Sequence, residues 1–432
     1  MAKIVFIGAG SIIFVKNLIG DCMMTPCLQE SEYALLDIDR EKLYLAEKML
    51  QNLNQNVNQG RAKVKAYESQ RDALKGADFV INAIQVGGYD PCVVNDFEIP
   101  FKYGLKQTYA DTLGIGGIFR GLRTIPVMKG ITDDMEECCP NAILLNYTNP
   151  MAIVTGAIQH NSTIQTIGLC HSVQVCAHDL LKGLGMSTDN VEYQIAGINH
   201  QAWLLEVTQN GADLYPEIKA RAEARTEKHE DMVRYEVMKR FGYYVTESTQ
   251  HSGEYMPYFI KKSYPELIER YGLHTDMYKD WGKSQISYWK KSKSELVDNH
   301  AVTHQRTKEF ASYILESLLT GSLYKIAANI QNQGNITNLP DGCCVEVPCL
   351  VDGTGIHPCH VGELPPQCAA MNLTNINVQN LTIEAALTGR KEHLYHAAML
   401  DPHTSAELSL DDIVAMCDEM IEANKEWLPE LK

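Results

Sequence analysis

The chain has 432 residues, 45% hydrophobic and 21% charged, a length that calls for two domains rather than one core. Its 38 basic and 54 acidic side chains leave a net charge of −16, which disfavours nucleic acid and anionic membrane as partners. No apolar stretch approaches the roughly 18 residues of a membrane helix, and MAKIVFIGAG lacks the features of a secretory leader, so a cytoplasmic location is expected.

Residues Lys3 to Ile7 form a short apolar run into Gly8-Ala9-Gly10-Ser11, and Asp37 closes the next apolar run, YALLDID. Strand, glycine turn, helix, strand and acid make a dinucleotide-binding βαβ unit, in which glycine lets the backbone approach a pyrophosphate at a helix N-terminus. The third glycine of the pattern is missing, Phe14 or its neighbours standing there. An acid at the end of strand two favours NAD+ over NADP+. Gly8, Ala9, Gly10, Ser11 and Asp37 are the candidate cofactor contacts.

Helical spacing of Leu43, Ala46, Leu50, Leu53 and Val57 predicts an amphipathic crossover helix from Arg40 to Val57. Ala77 to Ala83 reads as a buried strand that enters Gln85-Val86-Gly87-Gly88, a loop expected over the cofactor with Gln85 in contact. Asp111 to Arg120 is glycine-rich and reads either as a substrate lid or as a tight structural turn; Asp111 and Arg123, in the helix beyond, are candidate substrate contacts. Asn141 to Leu145 is a further strand, followed by Asn149-Pro150, where the Asn149 amide offers donors and an acceptor to a polyol.

The run Ile164, Ile167, Leu169 stops at Cys170, next to His171, with His200 thirty residues on. A thiolate and an imidazole suit a divalent transition metal, although a Cys beside a His can equally be core packing. Six strands alternating with helices predict an α/β fold, a Rossmann-type doubly wound parallel sheet like that of lactate and malate dehydrogenases, over residues 1–195. Residues 196–432 are expected to form a mainly α second domain carrying a small antiparallel sheet, with the site between the two. Its expected elements are a strand at Ala202–Val207, a helix from Thr303 to Leu319 capped by Gly321, a hairpin over Val345–Val361 and a helix from Leu410 to Trp427. The thirteen cysteines include no C-x-x-C pair and read mostly as buried thiols in a reducing compartment.

GAGS, LLDID, NYTNPMA, GLCHSVQ, GINHQAW, TESTQHSGEYMPYF and TNINVQN, in this order along the whole chain, resemble glycoside hydrolase family 4, the NAD- and manganese-dependent glycosidases. The CHS form of the cysteine motif resembles the family's α-galactosidases. The resemblance implies NAD+ and Mn2+ as cofactors and an α-galactoside of the melibiose or raffinose type as small-molecule substrate. It implies oxidation at sugar C3, deprotonation at C2, elimination at C1, water addition and re-reduction, an exception to the usual pair of glycosidase carboxylates. Carried onto this chain, Cys170 and His200 are the metal ligands, Tyr255 the base, His171 the acid that protonates the departing oxygen or a residue that orients a neighbour, and Asn149 a sugar contact. No basic residue lies between Lys75 and Lys102, which argues for an unphosphorylated sugar. Alternatives are an α-galacturonidase or α-glucosidase of the family, a lactate/malate-type dehydrogenase, or a non-catalytic NAD-sensing module. A homodimer or homotetramer is expected.

Overall fold

The first strand, β1 (Lys3–Ile7), sends Ile4 and Phe6 to one face and Val5 and Ile7 to the other, and all four are buried. A strand apolar on both faces must be covered on both. In the computed structural model, which describes residues 1–432 apart from the side chains of Lys290, Ser292 and Ser294, helices do this. They are α1 (Ile12–Met24), α2 (Arg40–Asn58), α3 (Gln70–Leu74), α4 (Val94–Lys102), α5 (Gly114–Cys138), α6 (Met151–Asn161) and α7 (His171–Gly183). They alternate with β2 (Glu32–Leu36), β3 (Lys63–Tyr67), β4 (Phe79–Asn82), β5 (Ile143–Asn146) and β6 (Thr166–Gly168).

These six strands run parallel in the order β3-β2-β1-β4-β5-β6. The order reverses between β1 and β4, the switch point at which doubly wound sheets bind ligands. The expected fold class is therefore the one observed. The antiparallel strands of the second half are continuous with this sheet. Beyond β6 come β11 (Tyr324–Gln331), β12 (Cys344–Asp352), β7 (Val191–Ile198), β8 (Gln201–Gln209) and β10 (Tyr244–Val245), with β13 (Gly355–Pro358) on β12 and β9 (Ala212–Asp213) on β8. The boundary expected at 195/196 falls inside β7.

Two of the junctions in this second half are single residue pairs, Gly168 with Asn329 and Glu346 with Gly197. One row of residues therefore crosses the sheet from Asn82 through Asn146, Gly168, Asn329 and Glu346 to Gly197. Gly168, within the row, precedes Cys170 by two residues, and Gly197, at its end, precedes His200 by three.

Three expected elements differ. Gly114 to Arg120 form no loop; they are the buried first turns of the 25-residue α5, where Cβ atoms at Gly116 and Gly117 would lie 2.6 Å from Ala110 and Thr112 atoms. The helix expected from Thr303 begins only at Phe310, because Asp21 of α1 holds the preceding segment extended by accepting from His304 Nε2 (2.6 Å) and Thr307 N (2.7 Å). The last helix ends at Asn424, not Trp427. Gly321 caps the Phe310–Thr320 helix in the left-handed region, as expected. The cysteines are free and mostly buried, and among the described residues no helix is long and apolar enough to cross a membrane.

Gly8 sits at φ +93, and a Cβ there would lie 2.5 Å from the Ala83 carbonyl oxygen. Gly8→Ala is expected to cost about 2 kcal/mol or more, read as a lowered urea midpoint with an unchanged m-value.

Candidate active site

Cys170 lies at the N-cap of α7, two residues beyond β6, with its Sγ 3.3 Å from Ser172 Oγ and 3.5 Å from His200 Nδ1. His200 follows β7 by two residues and is buried. Glu247 joins them, and a donor atom from each of the three lies within 4.8 Å of the others. Glu247 occupies the left-handed region at φ 67, an uncommon conformation for a non-glycine residue and one that clusters at functional sites.

A second group abuts the first. His251 lies on the short helix Thr249–Glu254, which Ser248 caps through the His251 N–H. Its ring stacks on Tyr109 at 3.8 Å and meets the His200 ring edge-on at 4.9 Å. Its Nδ1 is 3.4 Å from Glu247 Oε2 and its Nε2 3.7 Å from Asp111 Oδ1. Asp111 in turn accepts from Asn149 Nδ2 (3.1 Å) and Thr112 Oγ1 (2.8 Å). Arg120 donates to the Asn149 carbonyl (3.2 Å) and the Tyr278 hydroxyl (3.0 Å).

Burial alone would lower the basicity of His200, but the Cys170 sulfur in contact, with Glu247 and Asp111 behind it, pushes its pKa up to about 10. Burial would likewise raise Asp111 and Glu247, yet both are held below the usual carboxylate range, Asp111 by the His251 contact first and Glu247 by His251 and His200. The cluster thus concentrates negative charge away from water. Sulfur, imidazole nitrogen and carboxylate oxygen together are a donor set suited to a divalent transition metal.

The other expected residues have partners of their own. Tyr255 is buried, its hydroxyl accepts from His200 N (2.8 Å) and donates to Asn199 O (3.2 Å), and burial raises its pKa well above a phenol's ordinary value. It braces His200 through that backbone N–H. Arg123 does not face the substrate side: it forms a buried two-pronged pair with Asp96 (3.1 and 2.5 Å) and donates to Val86 O. Arg120, one turn earlier, takes the place expected of it. His171 opens α7 between Tyr147 and Phe310, with Nε2 2.6 Å from Glu309 Oε2, a bond that raises its pKa despite partial burial. Asp37 turns inward and accepts from Gly10 N (2.6 Å) and Asp39 N (2.8 Å), while Gln85 is exposed beyond β4. Sequence reasoning missed Glu247, His251 and Arg120. The first two are spaced i, i+4 across the capping Ser248, the one signal that could have found them.

Fold and site together define a class of enzyme: a dinucleotide-type sheet whose strand ends carry a cluster able to hold a metal ion beside a carboxylate–histidine pair. Residues 3–186 match the model of the Family 4 glycosyl hydrolases, and residues 195–404 that of the Family 4 glycosyl hydrolase C-terminal domain. The chain is 56% identical to an alpha-galactosidase of Bacillus subtilis over 100% of both chains, and 36% identical to an alpha-galactosidase of Rhizobium meliloti over 99% of this chain and 89% of that one. A 6-phospho-alpha-glucosidase from gut microorganisms, solved in complex with NAD and Mn2+, shares the fold at a TM-score of 0.83 and 20% identity, covering 100% of each chain. The protein belongs to glycoside hydrolase family 4.

Beneath His200, Glu346 is fully buried; Oε1 accepts from Asn329 Nδ2 (3.1 Å) and Asn199 Nδ2 (3.5 Å), and burial still pushes its pKa up to about 7 from 4.5. A raised acid contributes stability that is complete below about pH 4.5 and lost as the pH climbs through 7. Glu346→Gln lacks that loss. Thermal unfolding is expected to show the variant gaining on the native chain by roughly 3 kcal/mol between pH 4.5 and pH 8.

Proposed function

We propose that the chain hydrolyses terminal α-D-galactosides of the melibiose and raffinose type, with NAD+ on Gly8, Ala9, Gly10, Ser11, Asp37 and Gln85 and Mn2+ on Cys170, His200 and Glu247. The observation that carries this reading is the convergence of those three donors beside Asp111 and His251, in a chain 56% identical to an alpha-galactosidase. The residues fit both cofactors. No side chain caps the N-terminus of α1, which leaves its N–H groups for a phosphate, and Ile38, 98% exposed beside Asp37, offers an apolar surface to a base. The negative cluster around His200 suits a cation. Bound there, NAD+ supplies reversible hydride acceptance at C3 of the sugar and Mn2+ a Lewis-acid charge.

The remaining work falls to side chains. Tyr255, its hydroxyl on the His200 backbone, is the base assigned to the C2 proton, and His251, stacked on Tyr109 between Asp111 and Glu247, orients the two acids. His171, paired with Glu309, gives a proton to the departing glycosidic oxygen. Asp111, Asn149 and Arg120 present acceptors and donors to sugar hydroxyls. Arg120 and Arg123 are already engaged with protein groups, which supports a sugar without phosphate or carboxylate. The free cysteines support a reducing, cytoplasmic location. A homodimer or homotetramer is the expected assembly, to be read by light scattering.

Enzyme stripped with a chelator and dialysed is expected to cleave 4-nitrophenyl α-D-galactoside only when NAD+ and Mn2+ are both restored, with no NADH accumulating, and Cys170→Ser to stay inactive. Equal rates on the α-glucoside would overturn the substrate assignment. Net NADH formation would return the dehydrogenase reading.

If His171 protonates the leaving group, its replacement should matter most where the leaving group is basic. His171→Asn is expected to lose about 10²-fold or more on melibiose and under about tenfold on the nitrophenyl galactoside. Equal losses on both substrates would assign His171 an orienting role instead.

A further inference from the structure

The loop that delivers Asp111 is folded around an anion from its own chain. Glu254 is buried, and its Oε1 accepts from Thr108 N (2.5 Å) and Tyr109 N (3.2 Å), while Ala110 N reaches both carboxylate oxygens (3.3 and 3.2 Å). Three successive N–H groups thus converge on one carboxyl group, and at the last of them the chain turns through Ala110 at φ 51, a left-handed conformation that costs a residue with a Cβ about 1 kcal/mol or more, to reach Asp111. Thr108 Oγ1 adds a bond to the Gln250 carbonyl of the same short helix (2.8 Å).

We infer that Glu254 is a positioning residue for the reaction proposed above, setting the distance between Asp111 and His251. One turn of the Thr249–Glu254 helix carries His251 into the site and, three residues on, the carboxyl group that fixes the Thr108–Ala110 backbone leading to Asp111. The platform under the His251 ring (Tyr109) and the acid facing it (Asp111) are therefore both registered to the helix that bears His251. Glutamine at 254 keeps the shape but replaces one acceptor oxygen with an NH2 group aimed at N–H donors, which frees the loop without opening a cavity.

The test uses the enzyme loaded with NAD+ and Mn2+ and the variants Glu254→Gln, Asp111→Asn and their double. Glu254→Gln is expected to lower kcat/KM for the nitrophenyl galactoside about tenfold or more and to add little to the loss of Asp111→Asn, with Mn2+ binding by electron paramagnetic resonance and NAD+ binding by calorimetry unchanged. A kcat/KM within about twofold of the native enzyme, multiplicative losses in the double variant, or a parallel fall in Mn2+ and NAD+ binding would each overturn the inference. Hydrogen exchange keeps it separate from the proposed function: the Thr108, Tyr109 and Ala110 amides are expected to exchange faster in Glu254→Gln whatever the substrate, and unchanged exchange would overturn it. A native enzyme inactive on α-galactosides, with that exchange accelerated, would sink the substrate assignment and leave the positioning of the loop standing.

Discussion

Two single-pair junctions in the sheet, Gly168 with Asn329 and Glu346 with Gly197, hold the candidate site together. They tie the parallel half of the sheet to the antiparallel half at one level and leave the backbone free to diverge on either side. Gly168 has no room to be anything larger: a Cβ would lie 2.5 Å from Met151 Sδ and 2.6 Å from Thr155 Oγ1. Cys170 and His200 leave the sheet within three residues of this level, which is how two residues thirty apart in the chain come to lie 3.5 Å from each other.

The cost of the arrangement is polar burial. Asn82, Asn146, Asn329 and Glu346 sit in the middle of the sheet where apolar residues would pack more simply, and unpaired polar groups in such a place are expensive. They pair in part with one another and their neighbours: Asn82 donates to Asn146 and Thr148, Asn146 to Thr155, and Asn329 to Glu346, while Asn82 Oδ1, Asn329 Oδ1 and Glu346 Oε2 have no hydrogen-bond partner among the described residues. The TNINVQN stretch plays the same part from the other side. On the helix Pro366–Thr388, Asn372 donates to the backbone and side chain of Gln201, and Asn375 to the Gln201 side chain and the Tyr255 carbonyl. Both residues flanking this network, His200 and Tyr255, are thereby held by amides rather than by packing alone.

Around this frame the chemistry is arranged as charge in a poorly screened space. Cys170, Glu247 and Asp111 surround two imidazoles, with His251 set between the two acids. A site of this kind gains its order from cations that enter it, and its geometry from neighbouring contacts: Tyr255 on the His200 backbone, Glu254 under the loop of Asp111, Glu309 beside His171.

The sequence alone determined the first half of the fold, because strand and helix periods, the Gly8 turn and Asp37 are local patterns whose register a doubly wound sheet preserves. It also singled out Cys170, His200 and Asn149, each just beyond an apolar run where a strand must release the chain, and Asp111 at the head of a glycine-rich segment. Other features required the tertiary structure: that the second half extends the same sheet, that residues 303–309 stay extended on Asp21, that Arg123 turns to Asp96 while Arg120 faces Asn149, and that Glu247 and His251 complete the cluster. Each of these depends on contacts between residues far apart in the chain, and burial at that range, not local propensity, selects the partner.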